Sequence, residues 1–279
     1  MKIYGISVVQ NEGDIIRESL EWALRFCERI WIWDLASTDN TWDILQQMRS
    51  DRIVAERREG ISFVNSVRGL VFQTARDQIG ENNWIYALDA DEFVVGDPKS
   101  VLASAEQEGA AVVRAWQINF FPTRGDLVRL ASMGENAWAT IPLNERLRHY
   151  RVEWLEPRFV RVVPGLIWDT STPFSRYMHP DGTGLRVSRC TMMVRHYRYR
   201  SPRQVLDRHR TRQAGEMWDI GQFRWTPSAD LPFYAQPAWS VRHWHPDSSE
   251  IRVPGMEMLR ARAVWLAARA WKSVRRRFG

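Results

Sequence analysis

The stretch Trp84-Ile85-Tyr86-Ala87-Leu88-Asp89-Ala90-Asp91-Glu92 decides the reading of this chain. Five apolar residues without a polar interruption have the length and composition of a strand buried on both faces, as inside a parallel sheet. Three carboxylates then fall within four positions. Asp89 and Asp91, two residues apart, would project to one side where the strand leaves the sheet. Charges of one sign this close repel unless a cation or an arginine stands between them. Hard divalent ions such as Mg2+ or Mn2+ take oxygen ligands and bridge to phosphates, so a metal-assisted phosphate site is the chemical reading. The plainer reading is that the acidic residues lie solvated or cap the next helix.

Working back from this strand, the first hundred residues alternate. Ile3–Gln10 reads as a strand, Asp14–Cys27 as an amphipathic helix, and Arg29–Trp33 as a second strand. A helix over Thr41–Met48, a strand over Ile53–Glu56 and a helix over Phe63–Ile79 complete the approach. Asp97-Pro98 opens a further helix, with Asp as cap and Pro in the first turn. Such alternation implies right-handed crossovers and a largely parallel sheet whose ligands sit beyond the carboxyl ends of its strands. After Gly109 the pattern weakens. Strands are expected over Ala110–Phe121, Phe159–Val163 and Leu185–His196, with Pro-, Gly-, Thr- and Arg-rich loops between them. A helix is expected over Arg203–Gly215, and Met256–Phe278 has the apolar face of a closing basic helix. The expected organisation is a catalytic domain over 1–215, its halves being 1–95 for nucleotide and 96–215 for acceptor, and an extension over 216–279.

Composition sets limits on function. The chain has 279 residues, enough to bury a full core without a staple. Two cysteines, Cys27 and Cys190, cannot make a disulfide framework, and there is no signal peptide pattern and no run of about 18 apolar residues. A cytoplasmic protein is expected. No G-x-G-x-x-G follows the first strand and no P-loop pattern occurs, which removes the main support for dinucleotide or P-loop chemistry. The net charge of +6 hides a gradient. Residues 1–100 carry 11 basic and 17 acidic side chains, whereas residues 195–279 carry 17 and 7. An acidic half facing an arginine-rich half suits a phosphorylated ligand. A nucleic-acid partner is not expected, because the first hundred residues are acidic.

Other strand ends carry polar residues as well. Asn11 and Glu12 follow the first strand. Asp34 follows the second, ahead of Ser37-Thr38-Asp39-Asn40-Thr41. Ser37 to Asp39 read as caps of the next helix. Asp34 is not explained by capping and has the chemistry to accept hydrogen bonds from a base or ribose. His196, flanked by Arg195 and Arg198, could complete a metal shell or meet a diphosphate, against the plain reading of a half-exposed strand histidine. His243-Trp244-His245 reads as structural or acceptor-side.

Together these motifs resemble the family-2-type glycosyltransferases of GT-A fold. Gln10-Asn11-Glu12, Asp34-Leu35-Ala36-Ser37-Thr38-Asp39-Asn40-Thr41 and Leu88-Asp89-Ala90-Asp91-Glu92-Phe93 fall in the family's order, and the last is similar to the branch that reads LDxDEF. His196-Tyr197-Arg198 with Ser201 looks like that branch's later HY…S segment. The resemblance implies a nucleotide-diphosphate sugar donor across the sheet rim, with Asn11, Glu12 and Asp34 at the nucleoside. It implies Asp89 near ribose and metal, Asp91 as the principal ligand of Mn2+ or Mg2+, and transfer to an acceptor hydroxyl with inversion. Arg195 and Arg198 are expected at the diphosphate and His196 in the metal shell. Asp169 is the first expectation for the catalytic base, ahead of Glu145, Glu153, Glu156 and Asp181. A glycan or lipid-linked acceptor is expected, with peripheral contact to the inner membrane face through 256–278. A nucleotidyltransferase on a similar sheet is the competing reading, since acidic strand ends and a divalent metal serve both reactions.

Overall fold

A computed structural model describes residues 1–171, 176–213 and 235–245, together with Ile251 and Gly255. The first half follows the alternation of its sequence: β1 (Ile3–Val9), α1 (Ile16–Ala23), β2 (Arg29–Asp34), α2 (Thr41–Met48), β3 (Ile53–Arg57), α3 (Val67–Ile79) and β4 (Trp84–Leu88). Strands β3, β2, β1 and β4 pair in that order and are all parallel. All five residues of β4 are buried, as the uninterrupted apolar run requires.

The second half extends the same sheet. It contains β5 (Glu92–Val95), α4 (Pro98–Gln107), β6 (Val112–Phe121), α5 (Arg124–Met133), α6 (Glu135–Thr140), α7 (Leu143–Arg146) and β7 (His149–Arg161). A small hairpin of β8 (Ile167–Asp169) and β9 (Arg176–Met178) follows, then β10 (Val187–His196), α8 (Pro202–Gln213) and the short β11 (Arg242–His243). The order continues β4-β7-β6-β10-β5, with β11 pairing on β7. Antiparallel pairs join β4 to β7, β7 to β6 and β10 to β5, whereas β6 and β10 are parallel. The protein is therefore an α/β fold on one large mixed sheet flanked by helices, and the sheet draws strands from both 1–95 and 96–215.

That order forces curvature. Four inter-strand steps separate β4 from β5, a flat distance of about 19 Å at ~4.8 Å per step. Yet only Asp89, Ala90 and Asp91 connect Leu88 to Glu92, a reach of at most about 14 Å when fully extended. The sheet must curl so that its far edge returns toward the end of β4. The acidic triplet spans the opening, with Glu92 N donating to Asp89 O at 3.0 Å and Tyr197 N to Asp91 O at 2.8 Å.

Two apolar clusters pack the faces of the sheet. One gathers Ile16, Leu20, Ile30, Ile32, Trp84, Tyr86 and Phe159 beneath α1 and α2. The other gathers Ile6, Trp31, Trp33, Val71, Phe72, Ile85 and Trp168 beneath α3 and the hairpin. Tyr86 and Phe159 stack at 4.8 Å between ring centroids. Trp168 approaches Phe72 at 5.7 Å and so fixes the hairpin on α3.

Several expectations need correction. Asp97 does cap α4, accepting from Lys99 N at 3.0 Å and Ser100 N at 3.3 Å. Residues 124–146, read as loop, instead form three short helices, the first closed by a Thr123–Asp126 capping box. The strand expected only over Phe159–Val163 runs from His149 to Arg161, because alternate polar residues on its half-exposed length mask it. β5 was hidden behind the acidic motif. The basic helix expected over Met256–Phe278 lies outside the described residues, as does most of the 216–279 extension. Among the described residues no helix is long and apolar enough to cross a membrane.

Phe159 closes the aromatic stack where β4 meets β7, and its side chain is fully buried. Phe159→Ala is expected to lower unfolding stability by about 3–5 kcal/mol in urea denaturation, through lost burial and a residual cavity.

Candidate functional site

The carboxyl ends of β1 and β4 open on a cleft lined by Val8, Gln10, Glu12, Phe63, Asn65, Arg68, Asp89, Ala90, Asp91 and Arg208. Its chemistry is a set of buried and half-buried acids, each met by an arginine. Arg68, from the first turn of α3, and Arg158, from β7, both donate to Asp89, the second at 3.1 Å. Arg158 also holds Glu92, whose other donor is Gln117 Nε2 at 3.0 Å. Arg208, from α8, donates to Asp91, which faces His196 Nε2 at 3.3 Å. Arg200 is fully buried and joins Glu12 at 2.5 Å to Asp14 at 2.8 Å, so the chain after β10 is tied to the loop after β1.

Burial and pairing push these groups in different directions. Burial opposes ionisation of Asp91, but Arg208 and His196 outweigh it and hold the carboxyl well below its usual range. For Glu12 and Glu92 burial prevails over Arg200 and Arg158, and both carboxyls are pushed up. Burial drives His196 down despite the neighbouring Asp91, favouring the neutral imidazole. Burial, with Arg158 beside it, lowers Arg68 to about 10.

The loops after β1 and β2 are sewn together. Asn11 N donates to Ser37 Oγ at 2.9 Å, Thr38 N to Asn11 Oδ1 at 2.8 Å and Glu12 N to Thr41 Oγ1 at 2.9 Å. Asn11 sits at φ 57°, a left-handed conformation that Asn tolerates better than most residues. Of the expected caps, Asp39 does reach the first turn of α2 through Thr41 N at 2.9 Å. Ser37 and Thr38 instead serve the neighbouring loop. Asp34 is fully buried at the end of β2. Its Oδ1 accepts from Ser37 N at 3.0 Å, and its Oδ2 has no hydrogen-bond partner among the described residues.

The structure thus brings Glu12, Asp89 and Asp91 into one cleft, with His196 on Asp91 and Asn11 in the adjoining loop. Arg198 stands at the same rim, 5.8 Å over the Trp154 ring and 5.2 Å over Tyr199. Arg195 is not brought there. It projects from the other face of β10 into the rings of Trp22, Phe93 and Trp244, at 4.9, 5.5 and 5.2 Å. Nor does Asp169 line the cleft: it ends β8, and its Oδ1 accepts from Ser171 N at 2.8 Å and Ser171 Oγ at 2.6 Å. Trp244 packs on Phe120 at 5.8 Å, and His243 lies 5.0 Å from His149, so the His-Trp-His run anchors β11 on β7.

Four arginines of the site, Arg68, Arg158, Arg200 and Arg208, were not singled out in the sequence. Arg68 carries a weak signal, since it lies on an expected helix 21 positions before Asp89, whereas Arg208 pairs with Asp91 across 117 positions. Arg158 pairs with Glu156 on its own strand at 2.9 Å, but its partners in the site, Glu92 and Asp89, and those of Arg200 lie 66 or more positions away in sequence. Among the described residues no group of three or more His, Cys, Asp or Glu side chains is arranged to hold a metal ion.

No protein-family model matches the chain, and no curated protein does. Among solved structures, the crystal structure of mannose-1-phosphate geranyltransferase from Thermus thermophilus matches over 57% of this chain at 12% identity and a TM-score of 0.31. The match spans about half of that protein, 50% of its chain.

Arg200 neutralises two carboxylates from a position with no solvent access. Arg200→Ala leaves both without their main cation and is expected to cost about 3–5 kcal/mol of stability in chemical denaturation. Arg200→Lys, which keeps the charge and loses the fork, is expected to recover part of that loss.

Proposed function

We propose that this protein is a family-2-type glycosyltransferase of GT-A fold, moving a sugar from a nucleotide-diphosphate donor to an acceptor hydroxyl with the help of a divalent metal ion. The observation that carries the reading is the acidic crossing itself. Asp89 and Asp91 stand at the carboxyl end of β4, in a cleft whose other walls are the end of β1, the start of α3 and α8. Ligands of open α/β sheets bind at such strand ends. The motifs after β1, β2 and β4 converge on this one rim, as the resemblance implies.

In this reading Asn11, Glu12 and Asp34 lie on the nucleoside side. The unpartnered Oδ2 of Asp34 is the acceptor that a base or ribose would satisfy, once the loop from Leu35 to Asn40 admits it. Asp89, clamped between Arg68 and Arg158, is held for the ribose. Arg198, near enough for its charge to be felt at Asp91, would add positive charge at the edge of the diphosphate site.

The residues present fit a divalent ion in one respect. Asp91 Oδ2 and His196 Nε2 lie 3.3 Å apart and would hold the ion with the imidazole proton on Nδ1, which is buried without a hydrogen-bond partner among the described residues. Mg2+ and related ions are commonly held by one or two protein groups together with substrate phosphates and water. When bound, such an ion would neutralise charge on the leaving diphosphate. The chain's own part is to hold Asp91 ionised, to favour the neutral His196 through burial, and to keep Glu92 and Arg158 largely out of water. Inverting transfer also needs a base for the acceptor hydroxyl. Asp169, the base expected from the sequence, stands on the β8–β9 hairpin outside the lining of this cleft.

The test is a thermal-shift panel of UDP, GDP, ADP, CDP and dTDP with and without Mn2+, followed by transfer from the matching radiolabelled sugar nucleotide. At least one nucleoside diphosphate is expected to raise Tm in Mn2+, since a ligand stabilises the state that binds it. Asp91→Asn is expected to keep the fold and abolish the metal-dependent part of that shift. Metal-dependent stabilisation that survives in Asp91→Asn would remove Asp91 from the metal site. Release of pyrophosphate from a nucleoside triphosphate, without sugar transfer, would establish the nucleotidyltransferase reading instead.

A further inference from the structure

Arg208 projects from α8 into the cleft and lines it together with Asp91. Its Nη1 donates to Asp91 Oδ2, the same oxygen that faces His196 Nε2 at 3.3 Å. Asp91 is the only described residue that accepts a side-chain hydrogen bond from it, and its Nε is buried without an acceptor. A guanidinium offers five N–H donors in a rigid fork, so most of its capacity is unused here. That capacity suits two phosphate oxygens better than one carboxylate oxygen.

Arg208 also competes with the use proposed for Asp91. One carboxylate oxygen in contact with a guanidinium is poorly placed to meet a divalent ion, because the two cations repel strongly at such distance in a buried site. His196 can remain beside Asp91 as a neutral ligand; Arg208 cannot lose its charge. We infer that Arg208 is the diphosphate-binding cation of this cleft, held on Asp91 in the free protein and turned to phosphate oxygens once metal and nucleotide are bound. This rests on the nucleotide-diphosphate reading above. Arg208 thereby keeps a buried acid compensated before the substrate arrives, and afterwards places positive charge where charge develops on the leaving group.

The alternative is that Arg208 is a strut that pins α8 to the acidic crossing. The two roles differ in sign. A strut, when cut, loosens the site and weakens every ligand. A cation that shares Asp91 with the metal does the opposite to metal alone.

The experiment is calorimetric titration of the full chain as wild type, Arg208→Gln and Arg208→Lys, first with Mn2+ alone and then with UDP, GDP or dTDP in saturating Mn2+. Arg208→Gln is expected to bind Mn2+ alone several-fold more tightly, as the competitor is gone. It is expected to bind the nucleoside diphosphate about tenfold or more weakly, the loss of one charge-assisted contact. Arg208→Lys is expected to weaken the nucleoside diphosphate less than Gln does and to leave Mn2+ binding near wild type. Weakened Mn2+ binding in Arg208→Gln, or nucleoside diphosphate binding equal to wild type, overturns the inference. If Arg208→Gln fails to fold by circular dichroism, Arg208→Lys decides: wild-type nucleoside diphosphate affinity there overturns it. A wild-type protein that binds no nucleoside diphosphate at all overturns the functional reading and this inference with it.

Discussion

Asp89-Ala90-Asp91 is a short bridge between distant parts of one sheet. Leu88 ends a strand in the middle of the strand order and Glu92 begins the strand at its far edge. Three residues cannot cross that gap on a flat sheet. The curl that makes the connection feasible brings β10, β7 and α8 around the end of β4, and with them Arg158, His196, Arg200 and Arg208. The acidic crossing and its counter-cations are therefore products of one constraint. The cleft exists because the sheet has to close on this tripeptide.

The electrostatics follow from that closure. Five acids, Glu12, Asp14, Asp89, Asp91 and Glu92, come together at this rim; Asp91 and Glu92 are buried, and an ion pair broken at a buried carboxylate costs far more than one on the surface. Each acid is met by an arginine from another element. Arginine suits this task because it stays charged when buried and its fork can serve two carboxylates at once, as Arg158 and Arg200 do. The network ties β1, β4, β7, α3 and α8 into one unit. The network holds Asp91 ionised, with Arg208 as its main cation, while burial pushes His196 toward the neutral form against the pull of Asp91.

Much of the first half was legible because its signals are local. The α2 and β4 boundaries coincide with the apolar periodicity, and Asp97-Pro98 marks the start of α4 through a cap that involves only neighbouring residues. Legibility declined where strands are half-exposed. The alternating Arg and Glu side chains of β7 gave no apolar run, and β5, four residues long, began inside a motif read for chemistry. Residues 124–146 form short helices that gain their stability from packing, which propensity over so few residues does not reveal.

For the site, sequence alone identified the acids and the reason they needed partners. Asp89, Asp91 and Glu92 are adjacent, and their mutual repulsion can be read from spacing. It did not identify the partners, since Arg158 is 66 positions from Glu92 and Arg200 is 186 from Asp14. Nor did it give the side on which a residue points: Arg195 and His196 are neighbours in β10, yet one lies among Trp22, Phe93 and Trp244 and the other faces Asp91. A strand sends successive side chains to opposite faces, so which of the two meets the cleft depends on register with β5 and β6. Charge patterns in the sequence determined that this rim had to be neutralised. Only the closed sheet decided which arginines would do it.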